Sequence, residues 1–176
     1  MANSAPPPTL HPKKVPSREA PPGPDTGRSA FAQAPTGKTG DVHACSLLSD
    51  ADIVRVTGRP NRLNTPPERT DMPNGVTTCN YVGLDITLYP RVTPDNFQVT
   101  RKREEATKNV TVESASGVGD EAYFSMRARR SSSNVGIIVR RGTYQIALGD
   151  RMPADSVAWM KPKLVELAKL AVAKLR

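Results

Sequence analysis

Apolar and polar residues alternate with period two over residues 122–148. Ala122, Phe124, Met126 and Ala128 alternate with Tyr123, Ser125, Arg127 and Arg129. Val135, Ile137 and Val139 then alternate with Gly136, Ile138 and Arg140, and Tyr144, Ile146 and Leu148 with Gln145 and Ala147. Such alternation predicts three half-buried strands, with one face toward a core and the other outward. A two-residue turn at Arg141-Gly142 would set Val139 opposite Tyr144, Ile137 opposite Ile146 and Val135 opposite Leu148, so every apolar partner lands on one face; Arg-Gly is not a favoured turn pair, and a longer loop is the alternative. The preceding loop, over Arg130–Ser133, then needs four residues or another even number to match the faces.

Other segments read from their punctuation. Ser49-Asp50-Ala51-Asp52 opens a short helix, with Ser49 as cap and Asp52 three residues on, and Gly58 followed by Pro60 stops it. Residues 59–75 read as a loop ending in the turn signal Asn74-Gly75. Val76–Val82 and Leu84–Tyr89, separated by Gly83, read as a tight hairpin or one bent strand. Thr93-Pro94-Asp95 opens a mostly polar helix over about 94–108, with Pro94 at its first position and one thin apolar edge. The chain ends helically. Pro153 and Pro162 predict a short segment at 154–160 and a main helix from about 162, whose inward face is Leu164, Leu167, Ala168, Ala171 and Leu175. The order α-β-β-α-β-β-β-β-α gives an α+β domain: a mainly antiparallel sheet of about five to six strands, with helices on one face.

Composition divides the chain. Nine of the seventeen prolines fall before residue 36, and few large apolar side chains lie there. Residues 1–40 therefore read as a disordered Pro-rich tether that cannot offset its own chain entropy, and residues 41–176 as a single domain. The net charge of +8 is spread over both parts. A basic chain suits nucleic acid, anionic lipid or an anionic wall polymer without choosing among them. No stretch approaches the roughly 20 apolar residues of a membrane span. Met1-Ala-Asn-Ser-Ala-Pro-Pro-Pro lacks the apolar run of an export signal, so an exported chain is expected to have lost its signal.

Chemistry is sparse in the sequence. Cys45 and Cys79 allow one disulfide with one connectivity, worth roughly 3–4 kcal/mol for a loop of that size; two buried thiols are the alternative. His43 and Cys45 are too few for a zinc site, and no metal or cofactor is expected. Gly117-Val118-Gly119-Asp120 has G-x-G spacing but precedes a strand, so a tight turn with Asp120 bonding nearby amides is expected rather than a phosphate cradle. Asp120 and Glu121 point to opposite faces of a strand, and Ser131–Ser133 has no histidine near it, so no enzyme is expected. The candidate binding surface is the outer sheet face carrying Tyr123, Arg127, Arg129 and Arg140. There Tyr123 would lie near Arg140 in a cation–π contact. Its alternative role is edge protection by charge.

Taken together, Ala44-Cys45-Ser46-Leu47-Leu48-Ser49, Cys79-Asn80-Tyr81, Gly117-Val118-Gly119-Asp120-Glu121-Ala122-Tyr123, Val139-Arg140-Arg141-Gly142 and the Leu/Ala/Lys-rich last helix resemble small bacterial exported proteins and lipoproteins of unknown function, best known in actinobacteria. The resemblance covers about 45–175. It is more distantly similar to extracellular sensor domains of receptor kinases. It implies an extracytoplasmic (periplasmic or cell-surface) α+β domain with its cysteines paired and no catalytic residues to carry over. No lipidation cysteine precedes the Pro-rich segment. The expected function is a non-enzymatic binding or interaction module, monomeric, with an anionic envelope component or another envelope protein as partner. The alternative is a cytosolic nucleic-acid-binding protein using the basic sheet face.

Overall fold

A computed structural model describes residues 42–59 and 67–175. The tether expected over 1–40 and most of the proline-rich loop after Gly58 lie outside these residues. Four helices and seven strands follow in the order α1 (Ala44–Leu47), α2 (Asp50–Thr57), β1 (Glu68–Asp71), β2 (Thr77–Tyr81), β3 (Leu84–Tyr89), α3 (Pro94–Glu105), β4 (Val110–Ala115), β5 (Glu121–Ala128), β6 (Ser133–Arg141), β7 (Tyr144–Met152) and α4 (Val157–Val172). The strands form one antiparallel sheet in the order β1-β2-β3-β7-β6-β5-β4. The α+β class and the antiparallel sheet are as expected, but the sheet has seven strands. The additional edge strand β1 lies within the segment 59–75 expected as loop; Glu-Arg-Thr-Asp is exposed throughout and carries no apolar alternation to mark a strand.

Local signals explain most element ends. Ser49 Oγ accepts the Asp52 N–H, and the Asp52 carboxylate accepts the Ser49 N–H, closing a capping box. Gly58 ends α2 in the left-handed conformation at φ 67°. Thr93 Oγ1 accepts the Asn96 N–H ahead of α3. In the β6–β7 hairpin the two loop residues are Gly142 and Thr143, so Arg141 faces Tyr144 and Ile137 faces Leu148. This differs by two residues from the expected register. Gly142 takes the first central position with φ 57°, where a type II′ turn demands it. A two-residue slip keeps the parity of the pleat, so the apolar residues still share one face. The β5–β6 loop has four residues, as expected, but they are Arg129–Ser132 rather than Arg130–Ser133, with Ala128 opposite Ser133.

The inner face of the sheet carries the main core. Ile86, Leu88, Ile137, Val139, Ile146 and Leu148 pack there against Leu47 and Leu48, Ile53 and Val56 of α2, and Met160, Leu164 and Leu167 of α4. Burying each such side chain contributes about 1.5–3 kcal/mol. Helix α4 starts before Pro162 and runs through it. The cost of one missing hydrogen bond is offset by the seating of Met160, 1 % exposed, in the core. Cys45 and Cys79 are paired, tying α1 to β2. Tyr81 Oη donates to Leu48 O at 2.7 Å beside this link. Among the described residues no helix is long and apolar enough to cross a membrane.

The helices do not all lie on one face. Helix α3 crosses from β3 to the far edge β4 over the outer face, where Phe97 packs on Tyr123, Ile138 and Ala147 as a second, smaller core. Only a twelve-residue helix on that side spans the strands between β3 and β4, and Phe97 is the one buried side chain that fixes it.

Candidate functional site

The outer face is best followed as rows of cross-strand partners. Tyr89, Gln145, Arg140 and Glu121 form one row, and Thr87, Ala147, Ile138, Tyr123 and Ser114 the next. Helix α3 covers this part: the Phe97 and Tyr123 rings meet edge to face with centroids 5.4 Å apart. In the third row Asp85 faces Gly149, Gly149 faces Gly136, and Gly136 faces Ser125. The fourth row is Arg151, Asn134, Arg127 and Val110. The two adjacent glycines put no side chain above the sheet, so the third row is a trough between side-chain walls.

That trough is the floor of a cleft of about 370 Å³, whose polar walls are Asp85, Glu104, Ser125, Arg127, Asn134 and Arg151. Glu104 comes from the last turn of α3. The volume lies at the small end of ligand pockets. Three of the four buried side-chain polar atoms without a partner among the described residues belong to this outer face: Glu104 Oε2, Asn134 Oδ1 and Tyr123 Oη. Buried polar atoms are ordinarily paired with protein, ordered water or a ligand, and two of these three, Glu104 Oε2 and Asn134 Oδ1, belong to residues that line the cleft. Asp85 is an exposed residue, yet the sheet around its carboxyl desolvates it and holds it above the usual carboxylate range. Burial, then the nearby Glu104 carboxylate, pushes the Tyr123 phenol up. Arg127 makes no ion pair among the described residues, and Arg151 reaches only the Ser132 hydroxyl, at 3.4 Å.

The four residues expected to share a binding surface are separated. Arg127 lines the cleft. Arg129 lies in the β5–β6 loop, where its N–H donates to Ser132 O, and its side chain is not part of the cleft wall. Tyr123 is 0 % exposed because α3 covers it, and Arg101 of that helix, not Arg140, lies 5.7 Å from its ring centre. Arg140 sits opposite Glu121 at the other end of the sheet with a 12 % exposed side chain. Its Nε donates to Glu121 Oε2 at 3.0 Å and its Nη1 to Gly142 O at 2.9 Å. It is a fastening, not a free cation. The expected surface assumed an uncovered outer face, and α3 removes that assumption.

Asp120 and Glu121 are both held by arginines. Asp120 also accepts the Gly142 N–H, as the tight-turn reading of Gly117–Asp120 expects. Ser133 is buried at the start of β6. His43 and Cys45 join no third metal-binding side chain among the described residues.

A second hollow, of about 630 Å³, lies at the opposite end of β2 and β3, lined by His43, Arg69, Asp71, Arg91 and Tyr144. Burial, then Arg69, holds the His43 imidazole below its ordinary range. Arg91 stands there in the left-handed conformation at φ 61°. Its charges are partly matched, since Arg69 Nε lies 2.7 Å from Asp71 Oδ1. It also borders Val42, where the described chain begins. The outer-face cleft has the paired-glycine floor and two buried acceptors unpartnered among the described residues, Glu104 Oε2 and Asn134 Oδ1, and is the better-defined site.

Asp85, Glu104, Asn134, Gly136, Gly149 and Arg151 were not legible as site residues. The paired glycines were the available signal, since glycine inside a strand marks a bare or closely approached surface. The expected register placed Gly136 opposite Ala147, which hid the pair. No protein-family model matches the chain, and no curated protein matches it.

Proposed function

We propose that the chain is a non-enzymatic, extracytoplasmic binding module that takes a small ligand in the outer-face cleft. The observation that carries this reading is the Gly136–Gly149 trough, walled by polar side chains that include the unpartnered acceptors Glu104 Oε2 and Asn134 Oδ1. The disulfide supports the compartment, since such links persist where the surroundings are oxidising. The resemblance to small exported bacterial proteins supports the same reading.

A nucleic-acid interface on this face is less well supported. Of the aromatic rings its strands carry, Tyr123 is under α3 and Tyr89 is half-buried, whereas strand binding uses exposed rings for stacking. Arg140 is already neutralised, and Asp85 and Glu104 place negative charge where a phosphate chain would run.

Two measurements test the reading. Alkylation of the protein in its native cells, followed by mass spectrometry, gives the thiol state of Cys45 and Cys79. Oxidised cysteines support export; free cysteines overturn the compartment and move the nucleic-acid reading to first place. Arg127→Glu combined with Arg129→Glu is expected to leave folding intact and weaken binding of an anionic partner. Unchanged binding removes this face from consideration.

A further inference from the structure

The geometry points to an α-amino or α-hydroxy carboxylate as the ligand of the cleft, an inference that rests on the binding reading above and names its chemistry. The cleft carries both donors and acceptors. Arg151 and Arg127 stand on β7 and β5 with Asn134 between them on β6. Strands two apart are separated by about 10 Å, a span that two long arginine side chains can close over one anion. A guanidinium has donors only and matches a carboxylate in paired, charge-assisted hydrogen bonds.

The acceptors are Glu104, Asp85 and Asn134. Ionised carboxylates accept only, and Glu104 Oε2 and Asn134 Oδ1 are buried without a donor among the described residues. A simple anion would leave these acceptors unpaired. A simple amine or alcohol would leave both arginines unused. A compact molecule with a carboxylate and an adjacent ammonium or hydroxyl serves donors and acceptors at once. Size agrees: about 370 Å³ lies at the small end of ligand pockets, in keeping with an amino or hydroxy acid with a modest side chain. The glycine floor lets such a ligand lie against the sheet backbone.

The test uses the full chain and four probes of matched skeleton: L-alanine, L-lactate, propionate and ethylamine. Each is titrated while the backbone amides of Gly136 and Gly149 are followed by two-dimensional NMR. L-Alanine or L-lactate is expected to shift both amides and to bind about tenfold or more tightly than propionate or ethylamine, because only these two probes pair both donors and acceptors. Preference between them tells whether Glu104 and Asp85 receive an ammonium or a hydroxyl. Arg127→Gln and Glu104→Gln should each weaken binding about tenfold, and Gly149→Val, which fills the floor, should abolish it. The spectrum of each variant reports its folding directly. Propionate binding as tightly as L-lactate and L-alanine, or no glycine shift with any probe, overturns the inference. That failure is separate from failure of the binding reading, which is decided by the cellular thiol state and the paired arginine reversal.

Discussion

Asp120 Oδ2 accepts the backbone N–H of Gly142 at 2.8 Å, so the loop before β5 clasps the turn between β6 and β7. Arg141 Nη1 reaches the other oxygen at 2.9 Å. The Gly142 amide holds the Asp120 carboxyl below the usual carboxylate range; burial, the next largest effect, opposes it, and Arg141 and then Arg140 add to the lowering. A carboxyl lowered in the fold stabilises it above the unfolded value near pH ~3.9, and the contribution is lost as pH falls through the lower folded value. Charge-assisted bonds of this kind reach about 1.5–3 kcal/mol, and a 31 % exposed side chain is screened by water. Asp120→Asn is therefore expected to destabilise by about 1 kcal/mol at pH 7. Denaturant unfolding should show the gap to the parent closing in acid; a gap independent of pH would mean the clasp is not ionic.

The same loop depends on Gly119. A Cβ built there meets the Val139 side chain and Arg140 O at 2.5 Å, and φ is +62°. Gly117 shares a positive φ of +75° but has open space around it. Gly117→Ala should cost about 1–2 kcal/mol, for the left-handed backbone alone. Gly119→Ala adds a clash with a core strand and should cost at least about 3 kcal/mol. Equal losses in thermal melts would show that the loop, rather than β6, gives way.

How much of this was legible depends on whether the deciding force was local. Ser49, Gly58 and Thr93 act within a few residues, and the inner face follows from alternation because a slip of two leaves the pleat parity unchanged. The covering of Tyr123 was not legible. It depends on Phe97, some 26 residues earlier, crossing the sheet on its outer side. Once α3 takes that path, Tyr123 becomes core, Arg101 replaces Arg140 beside it, and the uncovered remainder becomes the cleft. The cleft floor required the one detail that parity cannot supply, the absolute register that sets Gly136 against Gly149. Arg127 was found because outward alternation alone places it. Arg151 and Asn134 share its row only across strands.

The Cys45–Cys79 link joins residues 34 apart in sequence. Constraining a loop of this length contributes roughly 3–4 kcal/mol. Cys45→Ala with Cys79→Ala should lower the melting temperature by roughly 10 °C in a domain of this size. Ala44 and Leu47 of α1 remain buried without the link, so the cleft amides should keep their chemical shifts. Loss of those shifts would make the disulfide a condition of the fold rather than an addition to it.

Asp150 tests the opposite sign of charge linkage. Its side chain is 2 % exposed on the inner face, with Arg59 Nη1 2.6 Å away. Burial raises its carboxyl above the usual range, and Arg59 recovers only part of that. A carboxyl raised in the fold binds its proton more readily folded than unfolded, so its contribution is fully present below the unfolded value near pH ~3.9 and is lost as pH rises through the folded value. At neutral pH the buried charge is therefore a net burden relative to a neutral group of the same shape. Asp150→Asn keeps one oxygen for the Arg151 N–H and leaves Arg59, 41 % exposed, to water. The variant should melt at or above the parent temperature at pH 7, and this advantage should disappear in acid, as pH falls through the raised folded value and the parent carboxyl gains its proton. A loss of several degrees at pH 7 would show instead that the Arg59 pair outweighs desolvation, and that Arg59 and Asp150 together hold α2 to the end of β7.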